Sequence, residues 1–389
     1  MQTKIKRRKL GRTGLMVSEL SLGAMNLRLL KSFDEAYAIV NDVLDQGINL
    51  IDTARAYKGE ISPGVTLESE HIVGETIRKR IDLDEPIVII TKGHAYTIPE
   101  MEKDLADSLK TLGVSGKGDL KIGKNNIKLI YLIHGISDER WNTTKSSGVL
   151  DRLQEIKEQG TINYIGFSSH YPFAQEVKEA IDSGIFDVAE LPYNVFNRSF
   201  GGNGNINLLK YIYEKDIGII NMKAFNGNGM EPIYQVIKEY ISVDYPAMLR
   251  FCLTNPYITS VDAGVRYTKE FKLDMQVACG KIYSDQELSE IKTEADKVAG
   301  HMKNICRECM HCQEKFTCPN GIDFPKILSL YNHYTFKVRQ NKDISALLEK
   351  YAQLEENGED CLECGECLPW CEYKLNIPKL LKQAHKAMG

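Results

Sequence analysis

The chain has 389 residues, with 49 Lys and Arg against 53 Asp and Glu, a formal charge of -4. Such a balance provides no positive field for nucleic acid or anionic lipid, and 43% hydrophobic with 26% charged residues is globular rather than disordered usage. No run of about 18 apolar residues exists, so no membrane span is expected.

Five basic residues stand between Lys4 and Lys9, followed by Gly11-Arg12-Thr13-Gly14 instead of the apolar stretch of a leader. The reading is a solvated hairpin at the start of a cytoplasmic protein with no nucleic-acid or membrane partner. From about residue 15 to 265 one pattern repeats: a short apolar strand, a polar loop, an amphipathic helix, and a glycine that ends the helix. Strands are expected at 20–23, 48–51, 87–91, 129–133, 162–167, 186–189, 217–220 and 258–261. Apolar stripes such as Phe33, Ala36, Val40 and Leu44, or Met101, Leu105, Leu109 and Leu112, mark helices between them. Gly47, Gly113, Gly160, Gly184 and Gly218 fall where the chain needs a left-handed residue. Eight units without a Gly-x-Gly-x-x-Gly after the first strand favour a (β/α)8 TIM barrel of class α/β over an open doubly wound sheet.

Residues 1–283 are assigned to the barrel, 284–300 to a linker helix opened by Ser284-Asp285, and 301–389 to a small, mainly α-helical module. Eight of the ten cysteines lie in that module. Cys306, Cys309 and Cys312 are spaced three apart with Cys318 six further on; Cys361, Cys364, Cys367 and Cys371 form a similar run. Three thiolates at intervals of three suit one [4Fe-4S] cluster, the fourth ligand coming from the other run as in two-cluster ferredoxins. Cys306, Cys309, Cys312 and Cys371 would then hold one cluster, and Cys361, Cys364, Cys367 and Cys318 the other. A pair of all-cysteine zinc sites would want two Cys-x2-Cys pairs each. From Cys318 to Pro325 and from Cys371 to Pro378 is seven residues in each case, and each proline is expected to open a helix. The module resembles a bacterial ferredoxin-type domain, departing from it in residues 313–317 before Cys318 and in Glu372 after Cys371. Cys252 and Cys279 lie outside any such motif and read as inert core thiols.

At successive strand ends stand Asp52, then Tyr57 in the following loop, Lys92 and His134. Reducing a carbonyl creates an alkoxide, which needs a proton donor beside it. Tyr57 suits that role if an adjacent cation acidifies it; Lys92 would supply the charge, Asp52 would anchor Lys92, and His134 would orient the carbonyl oxygen.

The segments Leu10-Gly11-Arg12-Thr13-Gly14-Leu15, Gly47-Ile48-Asn49-Leu50-Ile51-Asp52-Thr53-Ala54 with Tyr57, Thr91-Lys92, Leu132-Ile133-His134-Gly135 and Ile165-Gly166-Phe167-Ser168-Ser169 resemble the aldo-keto reductase superfamily. The whole chain is similar to its subgroup with a C-terminal ferredoxin-like domain. That resemblance implies a catalytic tetrad of Asp52, Tyr57, Lys92 and His134. It also implies a nicotinamide amide held at Ser168, Ser169 and Glu190, where relatives carry Ser, Asn and Gln; Met222 where many stack an aromatic ring, followed by Lys223; and phosphates met by the loop of Gly264 and Arg266. Glu270 stands where relatives carry an arginine for the 2′-phosphate, so NAD is favoured over NADP and no flavin is indicated.

Two long loops, 58–70 and 115–126 with Lys117, Lys121 and Lys124, could be solvated insertions or could shape the substrate entry. The function expected is an oxidoreductase acting on a small carbonyl or alcohol, with two [4Fe-4S] clusters exchanging electrons with the barrel or a ferredoxin-type partner. The alternative is an electron-transfer protein whose barrel is a scaffold without turnover.

Overall fold

The computed structural model describes the chain except residues 1–4, 82, 84, 171–172, 203–206, 226–233, 235–236, 239–240, 303, 307–310, 340–342 and 372–373. The chain folds as two compact units: Met1–Ala224 with Tyr245–Ser284, and Phe225–Asp244 with Asp285–Gly389. Residues 225–244, assigned to the barrel by sequence, thus group with the C-terminal unit.

Among the described residues of the first unit, eight parallel strands alternate with eight covering helices, and one further helix, Asp138–Ser146, follows the fourth strand. The strands are β1 (Leu20–Gly23), β2 (Leu50–Asp52), β3 (Ile87–Gly93), β4 (Asn125–Ile136), β5 (Tyr164–Ser169), β6 (Val188–Pro192), β7 (Gly218–Met222) and β8 (Ser260–Ala263). The helices are α1 (Phe33–Asp45), α2 (Ser69–Lys79), α3 (Ile98–Leu112), α4 (Val149–Glu158), α5 (Ala174–Asp182), α6 (Leu208–Glu214), α7 (Tyr245–Thr254) and α8 (Thr268–Ala278). Every strand pairs in parallel with its sequence neighbours, and β8 returns to β1 through Val261 opposite Leu20, closing the barrel. With helices covering the outside, strands can be apolar on both faces, and β3 is buried along its whole length.

Helix α3 shows how the sequence sets the covering layer. Thr97 precedes it, Pro99 fits its first turn where no N–H is needed, and Gly113 ends it at φ 71°. Met101, Leu105 and Leu112 face inward and are buried. Each contributes roughly 1.5–3 kcal/mol of transfer free energy.

The antiparallel hairpin Arg7–Lys9 and Met16–Ser18 contributes Leu10 and Val17 to a buried cluster with Leu50, Val88, Ile90, Ile130, Leu132, Val188 and Ile220. This cluster fills the barrel interior, so the N-terminal mouth is closed and chemistry is confined to the other end. The basic run is partly built in: Arg8 donates to the carbonyls of Leu253 and Ile258 at 2.6 and 2.7 Å and pairs with Glu19 at 3.1 Å.

Four details differ from the sequence reading. Strands expected at 48, 162, 186 and 258 begin two residues later, because Ile48, Ile162, Phe186 and Ile258 are buried without joining the ladder. Gly218 is not left-handed; it opens β7, and a Cβ there would overlap Leu10 Cδ1. Residues 58–68 form a hairpin, Lys58–Ser62 with Val65–Glu68. The lysine-bearing loop 115–124 precedes β4 and lies at the N-terminal end of the barrel, away from the reactive mouth, so it cannot shape substrate entry.

In the second unit α9 (Asp285–Met302) is followed by α10 (Phe324–Arg339), α11 (Ser345–Ala352) and α12 (Ile377–Met388). Pro325 and Pro378 stand in the first turns of α10 and α12, and Asp323 and Asn376 cap them by accepting from the N–H of Lys326 and Lys379, each at 3.1 Å. Ile322, Phe324, Ile327, Leu328, Tyr351, Ile377, Leu381 and Ala384 make the core. No helix among the described residues is long and apolar enough to cross a membrane.

Candidate active site

Strand ends bring the reactive side chains together. Asp52 closes β2, Lys92 is next to last in β3, and His134 lies near the end of β4. Tyr57 returns over β2 from a tight turn in which its N–H donates to the Ala54 carbonyl at 3.0 Å. The Lys92 ammonium, fully buried, donates to Asp52 Oδ1 at 2.5 Å and lies 5.8 Å from the centre of the Tyr57 ring. The His134 ring meets the Tyr57 ring edge-on at 6.1 Å. Gly135, at φ 74°, lets the chain bend behind His134 while its N–H donates to Ser168 Oγ at 2.9 Å.

Lys92 also donates to Glu190 at the end of β6, and Asp262 on β8 completes the surroundings. One oxygen from each of Asp52, Glu190 and Asp262 lies within 4.8 Å of the others, and all three residues are buried. Ser21 donates to Asp262 Oδ1, while Asp262 Oδ2 is buried without a partner. Three carboxylates therefore compete for one ammonium. Burial first, then Glu190, raises the proton affinity of Asp52; the same causes push Asp262 up to about 7. The two carboxylates in contact hold Lys92 protonated against the cost of burial.

The expectation that Lys92 makes the Tyr57 phenol unusually acidic is not met. Burial raises its proton affinity more than Lys92 lowers it, and Asp52, Glu190 and Asp262 add to the rise, so Tyr57 lies well above an ordinary phenol. His134 is held neutral by burial and by Lys92. Sequence reasoning missed its surroundings: the His94 ring stacks on His134 at 3.9 Å, Tyr96 OH donates to the His134 carbonyl at 2.7 Å, and His170 is pushed down to about 3, chiefly by burial. The position of His94, two residues after Lys92 at a strand end, was the available signal.

The residues assigned to a nicotinamide nucleotide are distributed unevenly. Ser168 Oγ accepts from Gly135 and keeps its own O–H to donate, whereas Ser169 Oγ donates to the Ile136 carbonyl at 2.9 Å. Glu190 faces Lys92. Met222 ends β7, and Lys223 follows it at φ 59°, a strained conformation for a residue with a side chain. Beyond β8, Gly264 sits where a Cβ would meet Asn26 Nδ2 at 3.1 Å. Glu270 lies in the first turn of α8, accepts from the Arg266 N–H at 2.7 Å and pairs with its guanidinium at 3.7 Å.

In the C-terminal unit, Cys312, Cys367 and Cys371 are buried, Cys306, Cys318 and Cys361 are half-buried, and Cys364 is exposed; Cys309 lies outside the described residues. Burial pushes the Cys367 thiol up to about 11, and Cys361, Cys364 and Cys318 are close enough to act on it too. The short helix His311–Lys315, which carries Cys312, packs against the turn Leu368–Trp370 that leads into Cys371. The Leu375 N–H donates to Cys371 Sγ at 3.4 Å. Among the described residues no three cysteine sulfurs lie within 4.8 Å of one another. In the barrel, Cys252 is buried, donates to the Tyr193 carbonyl at 3.3 Å, and is made less acidic by burial.

Residues 19–232 match the sequence profile of the aldo/keto reductase family. The chain belongs to that family. It is 28% identical over 196 residues to the uncharacterized oxidoreductase YqkF of Bacillus subtilis, covering 50% of this chain and 58% of that one. It is 25% identical over 232 residues to L-galactose dehydrogenase of Arabidopsis thaliana, covering 56% and 65%. The chain thus spans less than two thirds of either relative. The aldo-keto reductase AKR11C1 from Bacillus halodurans in its holo form superimposes with a TM-score of 0.57 at 21% identity, covering 74% of this chain and 96% of that one, which shows a shared fold.

Proposed function

We propose that the barrel is an oxidoreductase that reduces the carbonyl of a small molecule, with Tyr57 as proton donor. The observation that carries this is the convergence of Asp52, Lys92, Tyr57 and His134 at the open end of a barrel of this family, with Asp52 and Lys92 buried and Tyr57 and His134 half-buried beside them. The Tyr57 hydroxyl gives its proton to the carbonyl oxygen; Lys92, fixed by Asp52, orders the phenol, and the neutral His134 imidazole donates a hydrogen bond to the same oxygen.

The residues present fit a nicotinamide nucleotide, whose chemistry when bound is hydride supply. Ser168 would donate to the carboxamide oxygen, and the second oxygen of Glu190 would accept from the amide NH2. Glu270 would repel a 2′-phosphate, which favours NADH over NADPH.

For the C-terminal unit the reading is that its eight cysteines would hold two [4Fe-4S] clusters. The influence of Cys361, Cys364 and Cys318 on Cys367 fits the crossed set of Cys361, Cys364, Cys367 and Cys318; the packing of the Cys312 helix on the approach to Cys371 fits Cys306, Cys309, Cys312 and Cys371. Such clusters would exchange single electrons with a ferredoxin-type carrier.

The test is NADH consumption by the full chain, purified without oxygen, with a panel of small aldehydes. Tyr57→Phe is expected to lower kcat by about 10²-fold or more while leaving NADH binding unchanged. Equal rates in the two proteins would refute the assignment.

A further inference from the structure

We propose that Glu190 is a positioning residue of the tetrad: a second counter-ion that grips Lys92 from the opposite wall of the barrel and screens its charge from the Tyr57 hydroxyl. The proposal rests on reading Tyr57 as the acid. In the eight-strand ring, β2 and β6 face each other across the interior, so Asp52 and Glu190 reach Lys92 from two sides. An amide at position 190 would only share a hydrogen bond with the ammonium. A carboxylate there adds a full negative charge in a site that water does not reach, where charges act strongly.

Near Tyr57 the charges are Lys92 from β3, Asp52 from β2, Glu190 from β6 and Asp262 from β8. His134 faces it from β4 as a neutral imidazole with His94 stacked behind; His170, Lys223 and Arg140 act on those imidazoles. Burial, together with Asp52, Glu190 and Asp262, outweighs the single cation Lys92, so Tyr57 retains its proton. The consequence is directional. Carbonyl reduction moves hydride to carbon and the Tyr57 proton to oxygen, and a protonated phenol is ready for it. Alcohol oxidation needs a phenolate to accept the hydroxyl proton, and this arrangement withholds one.

The test needs neither substrate nor nucleotide. The full chain is labelled with 13Cζ-tyrosine and followed by NMR from pH 7 to 11 for wild type, Glu190→Gln and Glu190→Asp. Because the chain has 19 tyrosines, Tyr57→Phe identifies the resonance. Tyr57 should remain a phenol throughout in wild type and Glu190→Asp, and should form phenolate within this range in Glu190→Gln. A Tyr57 resonance that titrates alike in wild type and Glu190→Gln overturns the proposal. If Glu190→Gln does not fold, Glu190→Ala should show the same displacement, and its absence is equally fatal. A chain that shows the displacement but reduces no carbonyl would count against the reductase reading alone.

Discussion

Glu270 occupies the N-terminal turn of α8, where backbone N–H groups would otherwise receive a phosphate, and already accepts the Arg266 N–H. Replacing it with glutamine keeps that acceptor and removes the charge. Glu270→Gln should therefore tighten NADPH binding while leaving NADH nearly unchanged, a split readable by fluorescence titration of both nucleotides. Because Glu270 and Arg266 are exposed, the charge is worth at most about 1 kcal/mol, so the gain should be up to about fivefold. At this scale the sequence was most legible where one residue carries a role by its type alone: Asp52, Tyr57, Lys92 and His134 each offer a single reactive group at a strand end. It was least legible where the role depends on a partner far along the chain. Glu190 has the chemistry of an amide acceptor and of a counter-ion, and only the closure of the ring, which brings it 98 residues back to Lys92, selects the second. Asp262, on the last strand of the ring, was invisible for the same reason.

Elements followed the sequence closely because apolar period and helix punctuation act locally. All eight strands lie where expected, and Gly47, Gly113, Gly160 and Gly184 take positive φ as a helix-ending residue should. The two-residue offset at four strands has a physical origin: a buried isoleucine or phenylalanine at the barrel end is as apolar as one in the ladder, and hydropathy does not register whether its N–H is paired. Gly218 failed as punctuation because its constraint is steric. A Cβ would overlap Leu10 Cδ1 and sit 2.7 Å from Leu10 Cγ, in the cluster that closes the N-terminal mouth. Gly218→Ala should cost about 1–3 kcal/mol through overpacking. Leu10→Ala alone should cost more, about 2–5 kcal/mol, by opening a cavity. The double variant should be less destabilised than the sum of the two, because the new methyl enters space that Leu10 vacated. Thermal unfolding of the four chains measures this, and simple additivity would show that the close approach of Leu10 does not limit the position.

At the scale of the molecule, the division after Ser284 marks a change in what holds the chain together. The barrel has a full ring of paired strands around a dense apolar interior, whereas the second unit builds its core from a few helices and places Cys312, Cys367 and Cys371 among the apolar side chains. Thiols buried there cost little as neutral groups but offer no cohesion of their own; thiolates bonded to iron would tie the two cysteine runs together across some fifty residues of chain. The crossed ligand sets make this distinguishable from two independent sites. If Cys318 belongs with Cys361, Cys364 and Cys367, then Cys318→Ser and Cys364→Ser should each remove the same cluster. Either variant would retain about four of an expected eight irons, with matching sulfide. Combining them should cost no further iron, while adding Cys371→Ser should abolish the remainder. Iron and sulfide counts on anaerobically purified chains decide it: an additive loss on combining Cys318→Ser with Cys364→Ser would place them in different sites and replace the crossed arrangement with one cluster per run.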